Sequence, residues 1–276
     1  MGGMSFYQAS ELFLRTNMEV FTVQDMQAFL KKQKIKASLE DILTYIATGD
    51  LCFSLINEKF ITRAGAFTNK WFSFKPTRDE VKAGVFVPGH RLMPFLDPSI
   101  HPSHAEIIFN GNQVEKKEVE LTMNSILDLY ALFGEGYTVP MILEDPACDT
   151  FSFSQVQYGL PHKAIQTGWT LEPFLENGFE FGDRLLCRIT DWDNSLIEIK
   201  IKKETHTSLK ISFSDMIQEE WYTDFEESML RQIDHYGPCK SIQQQLSLLF
   251  LEEQGKLCTE NCGAVEAFLL HTTKIG

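Results

Sequence analysis

No apolar run in this sequence approaches the roughly 20 residues that a membrane-spanning helix needs, so no membrane partner is expected. No basic stretch followed by an apolar one marks a secretory leader. The opening Met1-Gly2-Gly3-Met4-Ser5-Phe6 lacks the Ser or Thr that a myristoylation signal carries at its sixth position. Several nucleotide and catalytic motifs are missing as well. There is no G-x-x-x-x-G-K-[ST] phosphate loop, no G-x-G-x-x-G after a strand, no G-x-S-x-G elbow and no H-E-x-x-H. Nucleotide cradling, elbow-type hydrolysis and helix-borne zinc chemistry therefore have no motif to rest on, and no cofactor is expected. Positive charge is the scarce sign: 25 Lys+Arg stand against 38 Asp+Glu, a net −13. That balance disfavours non-specific binding of the whole chain to nucleic acid or anionic lipid. Six cysteines, at 52, 148, 187, 239, 258 and 262, are scattered along a chain too long to need disulfide staples. A reducing cytoplasm is the expected compartment.

What is present is unevenly arranged. Residues 1–85 carry a net +2, residues 86–150 carry −7, residues 151–213 carry −1 and residues 214–276 carry −7. Any polyanion contact belongs at the N-terminal end. The length allows one large domain or a few small ones. The sequence divides into a block at 1–84, a small α+β module at 85–147, a β-rich, barrel-like module at 148–213 and an acidic helical region at 214–276. The expected class is α+β, built of several modules.

The first block is the most legible. Tyr7–Thr16 reads as a short helix. Thr22 and Asp25, then Ser38 and Asp41, have the spacing of capping boxes, each ahead of apolar residues at helical intervals. Leu51–Ile56, Lys59–Arg63 and Lys70–Phe74 read as short strands. Three helices followed by a small β-ribbon resemble the winged-helix superfamily, loosely its HARE-type members. The resemblance covers about a quarter of the chain and rests on element order and apolar spacing. It implies a surface that binds a macromolecule. In such a module, Lys31, Lys32, Lys34 and Lys36 ahead of the third helix, and Lys59, Arg63, Lys70 and Lys75 on the wing, are the places that face phosphates. The third helix, "SLEDILTYIATGD", carries Glu40, Asp41 and Asp50 and no cation. A solvated lysine loop and a protein-binding surface are the other readings of the same residues.

Further along, Thr77 and Glu80 form another capping box with Gly84 as a stop. Asn110-Gly111 is a hairpin signal, Pro173 fits the first turn of a short helix, and Ser214–His235 reads as one long helix. The stretch "PGHRLMPFLDPSIHPSH" (88–104) holds three of the seven histidines and four of the ten prolines. Asp97, His101 and His104 offer ligand chemistry for zinc, iron or manganese, the basis for a metal-dependent hydrolase. Against it, the prolines prevent a helix from setting the ligands on one face. The other reading is a stiff connector whose histidines cap backbone groups and whose Arg91 ties the loop to a carboxylate. Cys258 and Cys262 lack a second close pair for zinc. Asp191 and Asp193 around Trp192 are either an acid/base pair or turn residues. The expected function is a non-enzymatic adaptor or regulator that binds a protein, with nucleic acid as the variant and the metal hydrolase as the rival.

Overall fold

The computed structural model describes residues 4–122, 126–127, 130–131, 163–204, 213–237 and 242–265. The expected strands at 137–143 and 151–156, all but the last residue of the one at 209–213, and most of the expected helices at 125–133 and 263–271 lie outside these residues.

The class is mixed α+β. Helices α1 (Phe6–Thr16), α2 (Val23–Lys32) and α3 (Leu39–Thr48) lead the chain. Each starts on the side chain that its sequence offers. Thr22 and Ser38 accept the third-residue amide while Asp25 and Asp41 reach back to the cap nitrogen. The box on α1, Ser5 with Gln8, is a third instance that the sequence reading passed over. Ala9, Phe13, Leu14, Phe21, Val23, Met26, Leu30, Ile42, Ile46 and Phe60 form a core of their own.

A hairpin follows, β1 (Cys52–Ser54) with β2 (Phe60–Thr62). Phe60 packs with the N-terminal helices, whereas Phe53 and Ile61 join the main core. Alternation along a strand sends neighbouring side chains to opposite faces, so this hairpin is a wall between two cores. The expected third wing strand is elsewhere. Thr62 caps a short helix, α4 (Arg63–Phe67), and β3 (Trp71–Phe74) then enters a larger sheet. Thr62 Oγ1 donates to the Asn17 carbonyl, and Phe21 bridges to Phe60, binding the helices to the hairpin.

The larger sheet has five strands in the order β3-β9-β10-β5-β6. Strands β9 (Arg184–Asp191) and β10 (Leu196–Lys202) form its antiparallel centre. Strand β5 (Glu106–Phe109) runs parallel to β10, and β6 (Asn112–Gln113) turns back on β5. The turn is Asn110-Gly111, with φ of 50° and 79°. Both values suit a tight hairpin of the mirror-image type, as the dipeptide predicts. The expected return strand is cut short. Its continuation, β7 (Lys116–Thr122), pairs instead with β8 (Lys163–Thr170), which also carries β4 (Val85–Phe86). Among the described residues all three sheets are open, and the strands of the segment expected to be barrel-like are divided between two of them, β8 in one and β9 and β10 in the other.

Helices α5 (Arg78–Ala83) and α6 (Gly89–Leu92) precede β5, and α7 (Glu172–Glu176) follows β8. Helices α8 (Phe213–Tyr236), α9 (Ile242–Glu252) and α10 (Gln254–Leu257) close the chain. Gly255 lies inside α10. No described helix is long and apolar enough to cross a membrane. One apolar cluster runs from Phe53 to Cys262 and takes residues from all three of the expected later segments. Trp221, Phe225, Leu249, Phe250 and Leu257 come from the acidic helical region, so its helices are a structural layer of the main core. Trp221 and Phe225 are one turn apart on α8 and stack with centroids 5.1 Å apart. Trp221 Nε1 donates to the Leu257 carbonyl at 3.1 Å, which locks α8 to α10.

Candidate functional site

The Pro- and His-rich stretch is built into the molecule rather than laid over it. Leu92, Phe95 and Leu96 are buried in the main core, and Phe95 stacks on Phe72 with centroids 4.3 Å apart. Arg91 forks onto Glu80 through two bonds, at 3.2 and 3.1 Å. Asp97 is fully buried. Its carboxylate accepts from Ser99 N at 2.8 Å and Ser99 Oγ at 2.6 Å, and it pairs with Arg15 Nη2 at 2.7 Å. His101 caps a 3-10 turn at 102–104: its Nδ1 lies 2.8 Å from Ser103 Oγ and accepts from Ser103 N at 3.3 Å. His104 is exposed at the end of that turn. The carboxylate of Asp97 and the ring of His101 are thus each engaged by near neighbours in sequence or by α1. Among the described residues no three His, Cys, Asp or Glu side chains stand together as a metal site.

Arg15 deserves the same accounting. Its guanidinium also meets Glu11 at 2.9 Å and Asp193 at 3.1 Å. Partial burial works against its charge, but Glu11, Asp97 and Asp193 outweigh that and raise its pKa. Asp193 is therefore a clasp for α1. Asp191 makes the turn, accepting from Asn194 N and Nδ2 at 3.1 and 2.8 Å, and those bonds hold its carboxyl below the usual range. Trp192 is buried and donates to the Phe95 carbonyl at 2.9 Å. These contacts are turn and packing chemistry. Cys258 and Cys262 are buried, and burial raises both thiols, Cys262 to about 12. A thiol in that state is a small hydrophobe rather than a nucleophile or ligand.

Of the lysines, Lys31 and Lys32 end α2, and Lys34, with φ of 62°, and Lys36 follow in the loop. All four are exposed, as is Lys59 beside the hairpin tip, and none forms an ion pair among the described residues. Lys70 is half-buried before β3. Arg63, expected on the wing with them, is buried, with 3% of its surface exposed. The reason is that the chain turns inward after β2, so Arg63 opens α4 beneath α3.

Arg63 belongs to a groove of about 630 Å³ that the sequence reading did not anticipate. Leu43, Ile46, Ala47 and Thr48 of α3 form one wall, and Gln243, Gln244 and Leu248 of α9 the other. Cys52, Phe53, Ser54 and Phe60 of the hairpin, with Pro98, complete it. Arg63 Nε donates to the Asp50 carbonyl, Nη1 donates to Ser247 Oγ at 3.1 Å, and the guanidinium lies 4.7 Å from the centre of the Phe53 ring. No carboxylate is within ion-pair distance among the described residues. Burial lowers its pKa to about 10, against the partial support of Asp50 and Asp97. Cys52, in the same wall, is pushed up to about 12 by burial, so it stays a thiol at neutral pH. The lining holds no histidine, and its one carboxylate, Asp50, is exposed. The arrangement can bind, and it has a charged contact with which to select. Its walls come from positions some 200 residues apart in sequence, and no local pattern joins α3 to α9. Comparison with family models, with curated proteins and with solved structures found no match.

Proposed function

We propose that this chain is a non-catalytic adaptor or regulator whose N-terminal helices form a winged-helix-like unit that binds a protein. The observation that carries the reading is the outer face of α3. Leu39 and Leu43 are 39% and 45% exposed beside Thr44, Glu40 and Asp41, with no cation on the helix. An apolar and acidic face repels phosphate and suits a protein surface. The five exposed lysines at 31, 32, 34, 36 and 59 support a second reading, in which the loop beside that helix contacts nucleic acid. One pair of variants separates them. Leu43→Asp is expected to abolish partner cross-linking to the full-length chain, while Lys→Ala at 31, 32, 34 and 36 leaves it intact. Binding to duplex DNA that weakens with salt, and that the lysine variant loses, would replace the protein reading with the nucleic-acid one.

A further inference from the structure

We propose that the groove between α3, the β1–β2 hairpin and α9 is a binding site for a small amphipathic monocarboxylate, with Arg63 as its head-group anchor. The first observation is the unpaired charge. An arginine with 3% of its surface exposed retains five N–H donors and one full positive charge. Among the described residues only two acceptors, the Asp50 carbonyl and Ser247 Oγ, meet it, and both are neutral. Nη2 has no partner there. Asp50, the one carboxylate in the lining, is exposed and gives Arg63 its backbone oxygen rather than an ion pair. Arg15, at the opposite side of the same junction, has three carboxylates. A buried cation without a counter-charge is costly, and an anion entering the groove supplies what the fold does not.

The second observation is the shape and lining. About 630 Å³ is the size of a small-molecule site rather than of a protein interface. Leu43, Ala47, Phe53 and Leu248 provide apolar surface for a hydrocarbon body. Gln244 and Ser54 stand among them as polar groups. One unmatched positive charge calls for one negative charge. A single unpartnered nitrogen suits a carboxylate oxygen better than a phosphate dianion, whose oxygens need several donors. Leu43 borders both the groove and the outer face of α3, but Arg63, the anchor, lies off that face, so Arg63→Gln and the ligand comparison test this site apart from the protein partner proposed above.

Octanoate is the probe, titrated calorimetrically into the full chain, with 1-octanol, octyl phosphate and acetate as comparisons. One octanoate is expected per chain, bound about 10- to 100-fold more tightly than octanol, the range of a hydrogen bond to a charged group. Acetate should bind more weakly for want of the tail, and octyl phosphate no better than octanoate. Ala47→Trp fills the groove from an exposed position and should abolish binding without disturbing the fold. Arg63→Gln should erase the preference for octanoate over octanol. If that variant fails to fold by circular dichroism, Ala47→Trp and the ligand comparison decide alone. Equal affinity for octanoate and octanol, tighter binding of octyl phosphate, octanoate binding that survives Ala47→Trp, or no octanoate binding at millimolar concentration would each overturn the proposal.

Discussion

Two arginines stand where the N-terminal helices meet the main body, and their surroundings are opposite. Arg15 leaves α1 to join Glu11, Asp97 and Asp193, so one guanidinium ties the helical unit to two loops of the body. Arg63 lies under α3 with neutral acceptors and an aromatic ring. The first pKa is raised and the second is lowered to about 10, for the same residue type in one protein. The difference has two sources: Arg63 is the more deeply buried, and it lacks the carboxylates that meet Arg15. Together they make one side of this junction a clasp and leave the other without an ion pair among the described residues.

The largest expected effect tests that contrast directly. Arg15→Met strands the fully buried Asp97 carboxylate and should cost about 3–5 kcal/mol in urea denaturation, the usual penalty for breaking a buried pair from one side. Arg63→Met strands no carboxylate. Ser247 Oγ keeps its bonds to the Pro94 and Gln243 carbonyls, and the Asp50 carbonyl belongs to an exposed residue. Its cost should stay below about 1.5 kcal/mol. Similar costs for the two variants would break the comparison.

A smaller effect is expected from the backbone at the same junction. A methyl group on Gly65 of α4 would sit 2.7 Å from the Met18 carbonyl oxygen. Gly65→Ala should therefore force α4 and the α1–α2 loop apart at a cost of about 1–3 kcal/mol, read by the same denaturation. Hydrogen exchange should show the loss concentrated at residues 17–21 and 62–67.

The smallest is a pH effect on the helical unit. Hydrogen bonds from Thr22 to Asp25, and from Ser38 to Asp41, hold both carboxyls below their ordinary 3.8. In a folded state with depressed acid pKa values, the unfolded chain takes up protons first. The stabilisation is complete above the unfolded pKa and is lost as pH falls through the folded one. Between about pH 5 and pH 3, the protection factors of the α2 and α3 amides, taken relative to intrinsic exchange at each pH, should fall. Thr22→Ala with Ser38→Ala should flatten that dependence, whereas an unchanged profile would show that the caps do not govern it.

Much of the local structure was legible because its causes are local. The capping pairs at 22/25, 38/41 and 77/80 begin helices, and Gly84, with φ of 65°, ends one. Asn110-Gly111 turns a hairpin, and Pro173 sits in the first turn of α7. The errors were errors of partner. Lys116–Thr122 has the alternation of a strand, but nothing in it says that β8 rather than β5 is its neighbour. Lys59–Arg63 reads as a wing strand, yet Thr62 also suits a helix cap, and the inward turn took Arg63 out of solvent. Asp97, His101 and His104 carry ligand chemistry in their side chains. What Asp97 and His101 face is set by Arg15, Ser99 and Ser103, whereas His104 is exposed.

By itself the sequence determined where several helices begin and end, which turns are tight, and that a net positive charge is confined to the first third of the chain. Those outcomes follow from φ preferences, caps and composition, which act over a few residues. Only the tertiary structure decided that the hairpin serves two cores, that the last helices belong to the main one, and that α3 and α9 enclose a groove around an arginine without an ion pair among the described residues. Each depends on residues far apart in the chain, where burial, and the presence or absence of a counter-charge, is a property of the packed whole.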